Sequence, residues 1–186
     1  MMQELSLNIL DIAQNSVKAG ASLITVTVTE QPEADRLTIA ITDNGCGMTA
    51  EQVTHVIDPF FTTRTTRRVG LGVPFFKMAA ELTGGGLSID STPGQGTTVT
   101  AVFGLSSIDR MPLGDIASTM TTLIQGSPGI DFVYTHRLPG HELIADTRQF
   151  REVLEDVPLD SPEVLAFIGD YLRGGLDELR SNNEEV

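Results

Sequence analysis

The sequence lacks the features of secreted and membrane-spanning proteins. It contains a single cysteine, Cys46, so no disulfide bond can form within the chain and a reducing compartment is expected. No apolar run approaches the roughly 18 residues that a membrane-spanning helix needs. The N-terminus has neither the basic start nor the apolar core of a signal peptide. We therefore expect a cytoplasmic protein that does not cross a membrane.

Basic residues are also scarce. Lysine and arginine number 12 against 25 aspartates and glutamates, which gives a formal net charge of −13 at pH 7. So acidic a chain argues against general binding of nucleic acids or anionic membranes. The imbalance is concentrated in residues 108–186, with 15 acidic and 6 basic residues, whereas residues 1–107 hold 10 and 6. We therefore predict two units, 1–107 and 108–186, the second being an acidic α+β unit of unknown role.

Hydrophobic periodicity indicates the fold class. Residues 3–19 place apolar side chains at helical spacing, whereas residues 23–29 and 37–42 alternate apolar with polar residues and predict an antiparallel hairpin. The first helix is the obvious cover for the buried face of that hairpin. The sequence also predicts helices at 50–56, 112–126, 147–155 and 162–179, and a glycine-opened helix that starts at about residue 70 and ends near 82. It further predicts strands at 87–91 and 97–103, a hairpin at 130–146 and a frayed tail from 181. This order predicts an α+β fold.

One candidate ligand site is the stretch from Asp43 to Gly47, Asp-Asn-Gly-Cys-Gly, which ends a predicted strand. A strand that delivers a carboxylate into a glycine turn presents a hydrogen-bond acceptor beside exposed backbone. That arrangement suits a flat polar ligand such as a nucleobase. Asp-Asn-Gly is also an ordinary turn sequence, so the stretch alone does not decide between the two.

A second candidate is one face of the first helix. Asp11, Asn15 and Lys18 are spaced four and three residues apart and therefore share that face. Carboxylate and amide oxygens suit Mg²⁺, and an ammonium group suits phosphate. A solvated polar face would have the same composition.

A third candidate is the start of the glycine-opened helix, Gly70-Leu71-Gly72. Glycines before a helix N-terminus bring free backbone N–H groups close to a ligand, and that end of a helix favours an anion. Arg64, Arg67 and Arg68 lie just upstream, in a segment with only one apolar residue. The segment predicts either a polyphosphate site beneath a mobile surface loop or a flexible hinge with solvated arginines.

Taken in order, these stretches resemble the ATP-binding domain of the GHKL family of gyrase-type and Hsp90-type ATPases, histidine kinases and MutL-type proteins. Residues 11–21 are similar to the N box, 43–47 to the G1 box, 58–63 to the F box, 70–72 to the G2 box, and 94–97 to the closing Gly-x-Gly-Thr. The resemblance covers about residues 3–106. It implies the Bergerat fold, a two-layer α/β sandwich with a mixed, mostly antiparallel sheet covered by helices on one face.

The resemblance also implies roles at the adenine end of an ATP site. Asp43 would accept a hydrogen bond from the adenine amino group. Gly47 would allow close backbone approach, and Gly45 belongs to the same nucleotide-binding box. Thr97 would support the adenine from the last hairpin through water.

At the phosphate end, the resemblance implies that Asn15 binds the Mg²⁺ bridging the phosphates and that Lys18 contacts phosphate. Gly70, Leu71 and Gly72 would bracket the triphosphate beneath a lid of residues 62–69. Arg64, Arg67 and Arg68 are the candidate lid contacts.

Asp11 departs from the family pattern. The family's ATPases and several of its kinases have glutamate there, as general base or as a carboxylate near the metal. Aspartate is one methylene shorter, and misplacing a base by that much costs on the order of a hundredfold in rate. Phosphoryl transfer, which needs mainly positioning and Mg²⁺, would tolerate the change better than hydrolysis.

The resemblance therefore implies a Mg-ATP-binding, histidine-kinase-like protein with a role in signal transduction. Only two residues precede the first helix, so the helical hairpin with the phospho-accepting histidine is not expected. His141, in the predicted hairpin, is not expected to replace that histidine. The expected activity is kinase-type transfer of the γ-phosphate to a separate protein in trans. The alternatives are a non-catalytic ATP-dependent switch or anti-sigma-like regulator, and a weak MutL-type ATPase. The oligomeric state is left open.

Overall fold

A computed structural model describes residues 4–58 and 71–184, and within them the chain forms a six-stranded sheet. The helices are α1 (Leu5–Lys18), α2 (Ala50–Ile57), α3 (Gly72–Leu82), α4 (Ile116–Gly126), α5 (Thr147–Leu154) and α6 (Pro162–Glu184). The strands are β1 (Leu23–Gln31), β2 (Arg36–Asp43), β3 (Gly86–Thr92), β4 (Gly96–Gly104), β5 (Asp131–Leu138) and β6 (His141–Asp146). Their order across the sheet is β3-β4-β2-β1-β5-β6.

The sheet is mixed but mostly antiparallel, which confirms the predicted fold class. β1 pairs antiparallel with β2, β2 with β4, β3 with β4, and β5 with β6, whereas β1 and β5 are parallel. Ile24, Val26 and Val28 of β1 are fully buried, and the threonines between them are only partly buried. This alternation shows that one face of the sheet packs against the helices, as a half-covered sheet requires.

The second half of the chain extends the same sheet and core. β5 lies beside β1 in a parallel register from Leu23↔Asp131 to Thr29↔Arg137. α4 packs on α1, where Thr119 Oγ1 donates a hydrogen bond to the Ser6 carbonyl at 3.2 Å. The sequence boundary expected at 107/108 lies in the connection between β4 and α4, and the sheet continues across it.

Two element boundaries differ from the sequence prediction. α4 begins at Ile116 instead of residue 112, because the side chain of Asp115 accepts a hydrogen bond from Ser118 N and caps the helix there. The residues before it run alongside the start of α1, where Leu5 N donates to the Pro112 carbonyl. α6 continues to Glu184, so the backbone of residues 181–184, predicted to be frayed, is helical. Within residues 4–58 and 71–184, no helix combines the length and apolar character needed to cross a membrane.

Candidate functional site

A cavity of about 270 Å³ opens at the edge of α1, beside the end of β2. Its walls combine apolar residues with a few polar groups, as small-molecule sites usually do. The apolar lining consists of Ile12, Ala19, Met48, Val56, Val73, Ile89 and Val99. The remaining lining residues are Asn15, Ser16, Lys18, Asp43, Cys46, Gly47 and Thr97. The structure thus brings together five of the predicted site residues: Asn15, Lys18, Asp43, Gly47 and Thr97.

The Asp43 carboxylate is fixed in the cavity wall. Asp43 is the last residue of β2 and is only 8% exposed. Its Oδ1 accepts a hydrogen bond from Gly45 N at 2.8 Å, and its Oδ2 accepts one from Ser16 Oγ at 2.5 Å. Each carboxylate oxygen retains a further lone pair, so the group can still accept a hydrogen bond from a ligand. An acceptor held by two donors is already oriented before a ligand arrives.

Ser16 also lines the cavity, although it belongs to none of the three candidate stretches. The sequence signal was its place on the apolar stripe of α1, where a buried hydroxyl group needs a partner. Ser16 is 4% exposed, and Asp43 is that partner. Asn44 in the same turn has a structural role, because its side chain bonds the backbone N–H groups of Ser22 and Leu23.

Close backbone packing explains the glycines after Asp43. Gly47 has φ +66°, and a Cβ there would lie 2.0 Å from the carbonyl oxygen of Thr92. A Cβ at Gly45 would lie 2.9 Å from Ala19. The turn is therefore pressed between the end of α1 and the hairpin formed by β3 and β4.

Thr97 belongs to a hydroxyl network that ties this turn to the hairpin. Ser91 Oγ and Thr97 Oγ1 are 2.8 Å apart, and Met48 N donates to Ser91 Oγ at 2.8 Å. Sequence reasoning missed Ser91, because only the antiparallel register places it opposite Thr97. The network positions Thr97 at the cavity wall.

The polar face of α1 divides between the cavity and α3. Asn15 and Lys18 are exposed and line the cavity. Asp11 is half-buried and is not one of the lining residues. It lies instead against the start of α3, where a Cβ at Gly72 would be 2.8 Å from Asp11 Oδ2. Glycine at this position therefore lets the N-terminus of α3 approach the carboxylate.

The third candidate stretch is only partly described. Arg64, Arg67, Arg68 and Gly70 lie outside the described residues, as does the whole of the expected lid. Leu71 is the N-cap residue of α3 and is 49% exposed.

The side-chain groups around the cavity fit Mg²⁺ only when the ion is bound together with a nucleotide. Among the described residues, no group of three or more His, Cys, Asp or Glu side chains could hold a metal ion. Asn15 is exposed at the cavity, and within the described ranges its side-chain amide has no hydrogen-bond partner. Mg²⁺ commonly takes only one or two protein oxygens and completes its shell with phosphates and water. A single amide oxygen beside a phosphate site is compatible with that arrangement.

Residues 1–107 match the family described as "Histidine kinase-, DNA gyrase B-, and HSP90-like ATPase". The chain belongs to this ATPase family. The resemblance inferred from the five boxes is thereby confirmed.

Several proteins that are similar to this chain are named as sensor proteins. The sensor histidine kinase ZraS of Klebsiella oxytoca is 34% identical over 94 residues, which make up 50% of this chain and 20% of that protein. The non-motile and phage-resistance protein of Caulobacter vibrioides is 31% identical over 111 residues, 55% of this chain and 13% of that protein. The chain thus spans a fifth or less of these two relatives.

A solved structure supports the fold alone. The Aquifex aeolicus MutL ATPase domain complexed with ADP is 14% identical to this chain, with a TM-score of 0.50. The alignment covers 83% of this chain and 70% of that one.

Proposed function

We propose that the protein binds Mg-ATP in the cavity beside Asp43 and donates the γ-phosphate to a separate protein in a regulatory role. The observation that carries the proposal is the Asp43 carboxylate, which is buried, held by Ser16 and Gly45, and still able to accept one more hydrogen bond. An adenine ring fits beside it, because the surrounding walls are apolar and the ring offers an amino group to that acceptor.

The other polar residues would act at the phosphate end. Lys18 would place its ammonium group on the phosphates, and Asn15 would hold the metal through its amide oxygen. Mg²⁺, when bound with the nucleotide, neutralises charge on the phosphates. Asp11 lies beside the N-terminus of α3, the end of a helix that favours phosphate. There it can orient the incoming acceptor group or a water molecule.

Transfer to another protein requires a docking surface next to the phosphates, and α3 offers one. Leu71, Phe75, Met78 and Leu82 are spaced four, three and four residues apart, so they form one stripe along the helix. All four are between 41% and 63% exposed. This α3 stripe starts at the helix end proposed to bind phosphate. A phospho-acceptor docked on it would therefore lie close to the transferred group.

A non-catalytic ATP switch is the second candidate. It is favoured by Asp11, which is shorter than the family's glutamate and lies against Gly72 instead of lining the cavity. A weak MutL-type ATPase remains the third reading. Incubation with γ-labelled ATP and proteins encoded by neighbouring genes separates the three. Label on a partner supports transfer, free phosphate supports hydrolysis, and bound but unreacted ATP supports the switch.

The nucleotide site is tested by Asp43→Asn, measured by calorimetry with Mg-ATP. We expect affinity to fall by about 30-fold to 1,000-fold, because the amide presents a donor to the adenine amino group and leaves polar groups unpaired. Ser16→Ala is the matched control. It removes one bond to the carboxylate but keeps the acceptor, so affinity should fall only about fivefold. Unchanged affinity in Asp43→Asn would remove the basis for the proposed site.

A further inference from the structure

An exposed group of apolar side chains joins the last two helices, far along the chain from the residues that line the cavity. The Phe150 ring of α5 packs edge-on against two rings of α6, with centroids 6.2 Å from Phe167 and 5.5 Å from Tyr171. Phe167 is 56% exposed and Tyr171 is 41% exposed. Val153 lies one helical turn after Phe150 and is 84% exposed. These four residues are called the aromatic patch below.

The patch is held in place by the structure beneath it. Tyr171 Oη donates a hydrogen bond to the Ile144 carbonyl on edge strand β6 at 2.9 Å. On the other side of α6, Ile168 and Leu172 are 1% exposed and belong to the core. The exposed rings are therefore fixed in position and would lose little conformational entropy on binding. Clustered, rigid aromatic side chains on a surface are typical of protein interaction sites.

The chain between the patch residues carries charge of one sign, and the arginines next to the patch in sequence, Arg148, Arg151 and Arg173, are each paired with an aspartate. Residues 152–170, which connect Val153 to Phe167 and reach to the residue before Tyr171, contain six acidic residues and no lysine, arginine or histidine. These are Glu152, Glu155, Asp156, Asp160, Glu163 and Asp170. Among the residues that the structure describes, only Asp170 of these six has an ion-pair partner, Arg173 at 3.5 Å. The other five carboxylates are available to a partner from outside.

We propose that the aromatic patch and its acidic rim bind a basic, amphipathic segment of a partner protein. The apolar side of such a segment would cover Phe167, Tyr171 and Val153, and its lysines or arginines would pair with the free carboxylates. Anionic membranes and nucleic acids are repelled by the same rim. A second copy of the chain is disfavoured, because each copy has a net charge of −13 and the same acidic rim.

This surface is separate from the one assigned to the phospho-acceptor. None of the patch residues lines the nucleotide cavity, and none belongs to the α3 stripe. The inference therefore does not depend on the proposed transfer of phosphate. It gives the second half of the chain a binding role of its own.

The test uses the full chain and three synthetic peptides of equal length, followed by fluorescence anisotropy. The first peptide is a leucine–lysine amphipathic helix, the second replaces its leucines with serine, and the third replaces its lysines with glutamate. We expect the first to bind at least about tenfold more tightly than either of the others. Added salt should weaken this binding, because the rim contributes through charge. Equal binding of the first two peptides would overturn the proposal, since the patch would then contribute nothing.

Three variants locate the binding site. Phe167→Ser and Val153→Ser should each weaken binding of the leucine–lysine peptide, by about tenfold for the ring. Val153 is almost wholly exposed, so its substitution leaves folding intact even if loss of the ring does not. The matched control is Ile108→Ser, an exposed apolar residue outside both the aromatic patch and the α3 stripe, which should leave binding of the peptide unchanged. Loss of binding in Ile108→Ser but not in Val153→Ser would overturn the assignment. So would analytical ultracentrifugation showing a dimer that Phe167→Ser dissociates.

Discussion

A buried chain of hydrogen bonds links the two halves of the sequence and gives a pH-dependent prediction. Glu30 Oε1, near the end of β1, is 2.7 Å from His136 Nε2 on β5. His136 Nδ1 is 2.9 Å from Tyr134 Oη, and both of these residues are at most 1% exposed. An ionised Glu30 places the histidine hydrogen on Nε2, so Nδ1 accepts from the tyrosine hydroxyl. All three polar groups are thereby satisfied.

Replacing Glu30 with glutamine keeps the shape and one hydrogen bond but removes the charge. A hydrogen bond to a charged group contributes about 1.5–3 kcal/mol, and a neutral one about 0.5–1.5 kcal/mol. The Glu30 side chain is 27% exposed, which places it towards the weaker end of the charged range. We therefore expect Glu30→Gln to lower the free energy of unfolding by about 1 kcal/mol at pH 7.

The sign of the pH dependence follows from the glutamate pKa. The hydrogen bond to His136, together with the charges of Arg180 and Arg110, holds the pKa of Glu30 below its ordinary value of 4.5, although burial opposes this. The stabilisation is therefore fully present above the unfolded-state pKa and is lost as pH falls through the folded-state pKa. The wild type and Glu30→Gln should differ at pH 7 and converge as the pH falls below about 4.5.

Urea unfolding at pH 7, 5 and 4, followed by circular dichroism, measures this difference. Glu33→Gln is the matched control: Glu33 is exposed in the connection that follows β1, and it has no ion pair among the described residues. Its substitution should leave stability unchanged at every pH. A difference between wild type and Glu30→Gln that stays constant from pH 7 to pH 4, or is absent at pH 7, would refute the reasoning.

Two further predictions concern backbone positions with positive φ. Gly47→Ala should cost about 2–3 kcal/mol of stability, because its Cβ would clash with the Thr92 carbonyl. Gly94→Ala, with a similar φ of +78° but nothing within 4 Å, should cost only about 1–2 kcal/mol in the same urea titration. Glu155 ends α5 with φ +51° and ψ −109°, so Glu155→Gly should raise the thermal midpoint by relieving about 1 kcal/mol of strain. A lower midpoint in Glu155→Gly would contradict this interpretation.

The first half of the fold was predictable because its local signals agree with its tertiary environment. Strict alternation in β1 and β2 matches a sheet with one buried face. Thr49 and Gln52 have the spacing of a capping box, and they form one at the start of α2. The grouping of several candidate residues was also predictable in kind. The sequence places Asp43 at a strand end and Asn15 and Lys18 on one face of α1, and in the structure all three line one cavity.

The contacts that hold the site were not predictable, because they join residues distant in sequence. Ser16 bonds Asp43 across 27 positions, and Ser91 bonds Met48 across 43. The parallel pairing of β5 with β1 crosses more than a hundred residues and has no local sequence signal. The start of α4 was misplaced because Leu113 continues the apolar spacing of the helix, whereas the capping group at Asp115 determines where the helix begins.

Because the sheet joins both halves of the chain, we predict that residues 1–107 do not fold stably on their own. The family match covers residues 1–107, and a fragment of that length contains the whole cavity lining. Removing the rest of the chain would nevertheless turn β1 into an edge strand and delete its seven paired residues on β5. It would also uncover the buried face of α1 that packs on α4 and remove the carbonyls of Pro112 and Leu113 that accept from the first N–H groups of α1.

Because α1 carries Asn15, Ser16 and Lys18, loss of its support should disturb the nucleotide site as well as the fold. We expect the fragment 1–107 to aggregate, because a newly exposed hydrophobic edge strand can pair with another chain. If it stays in solution, we expect it to unfold on heating without a cooperative transition. A chain ending at residue 180 is the control, since it lacks only residues 181–186, the last turn of α6 and the two residues after it. Cooperative unfolding of fragment 1–107 with full affinity for Mg-ATP would show instead that the first half is a domain in its own right. The added strands would then be an accessory to it, and the position of α1 would not depend on α4 and β5.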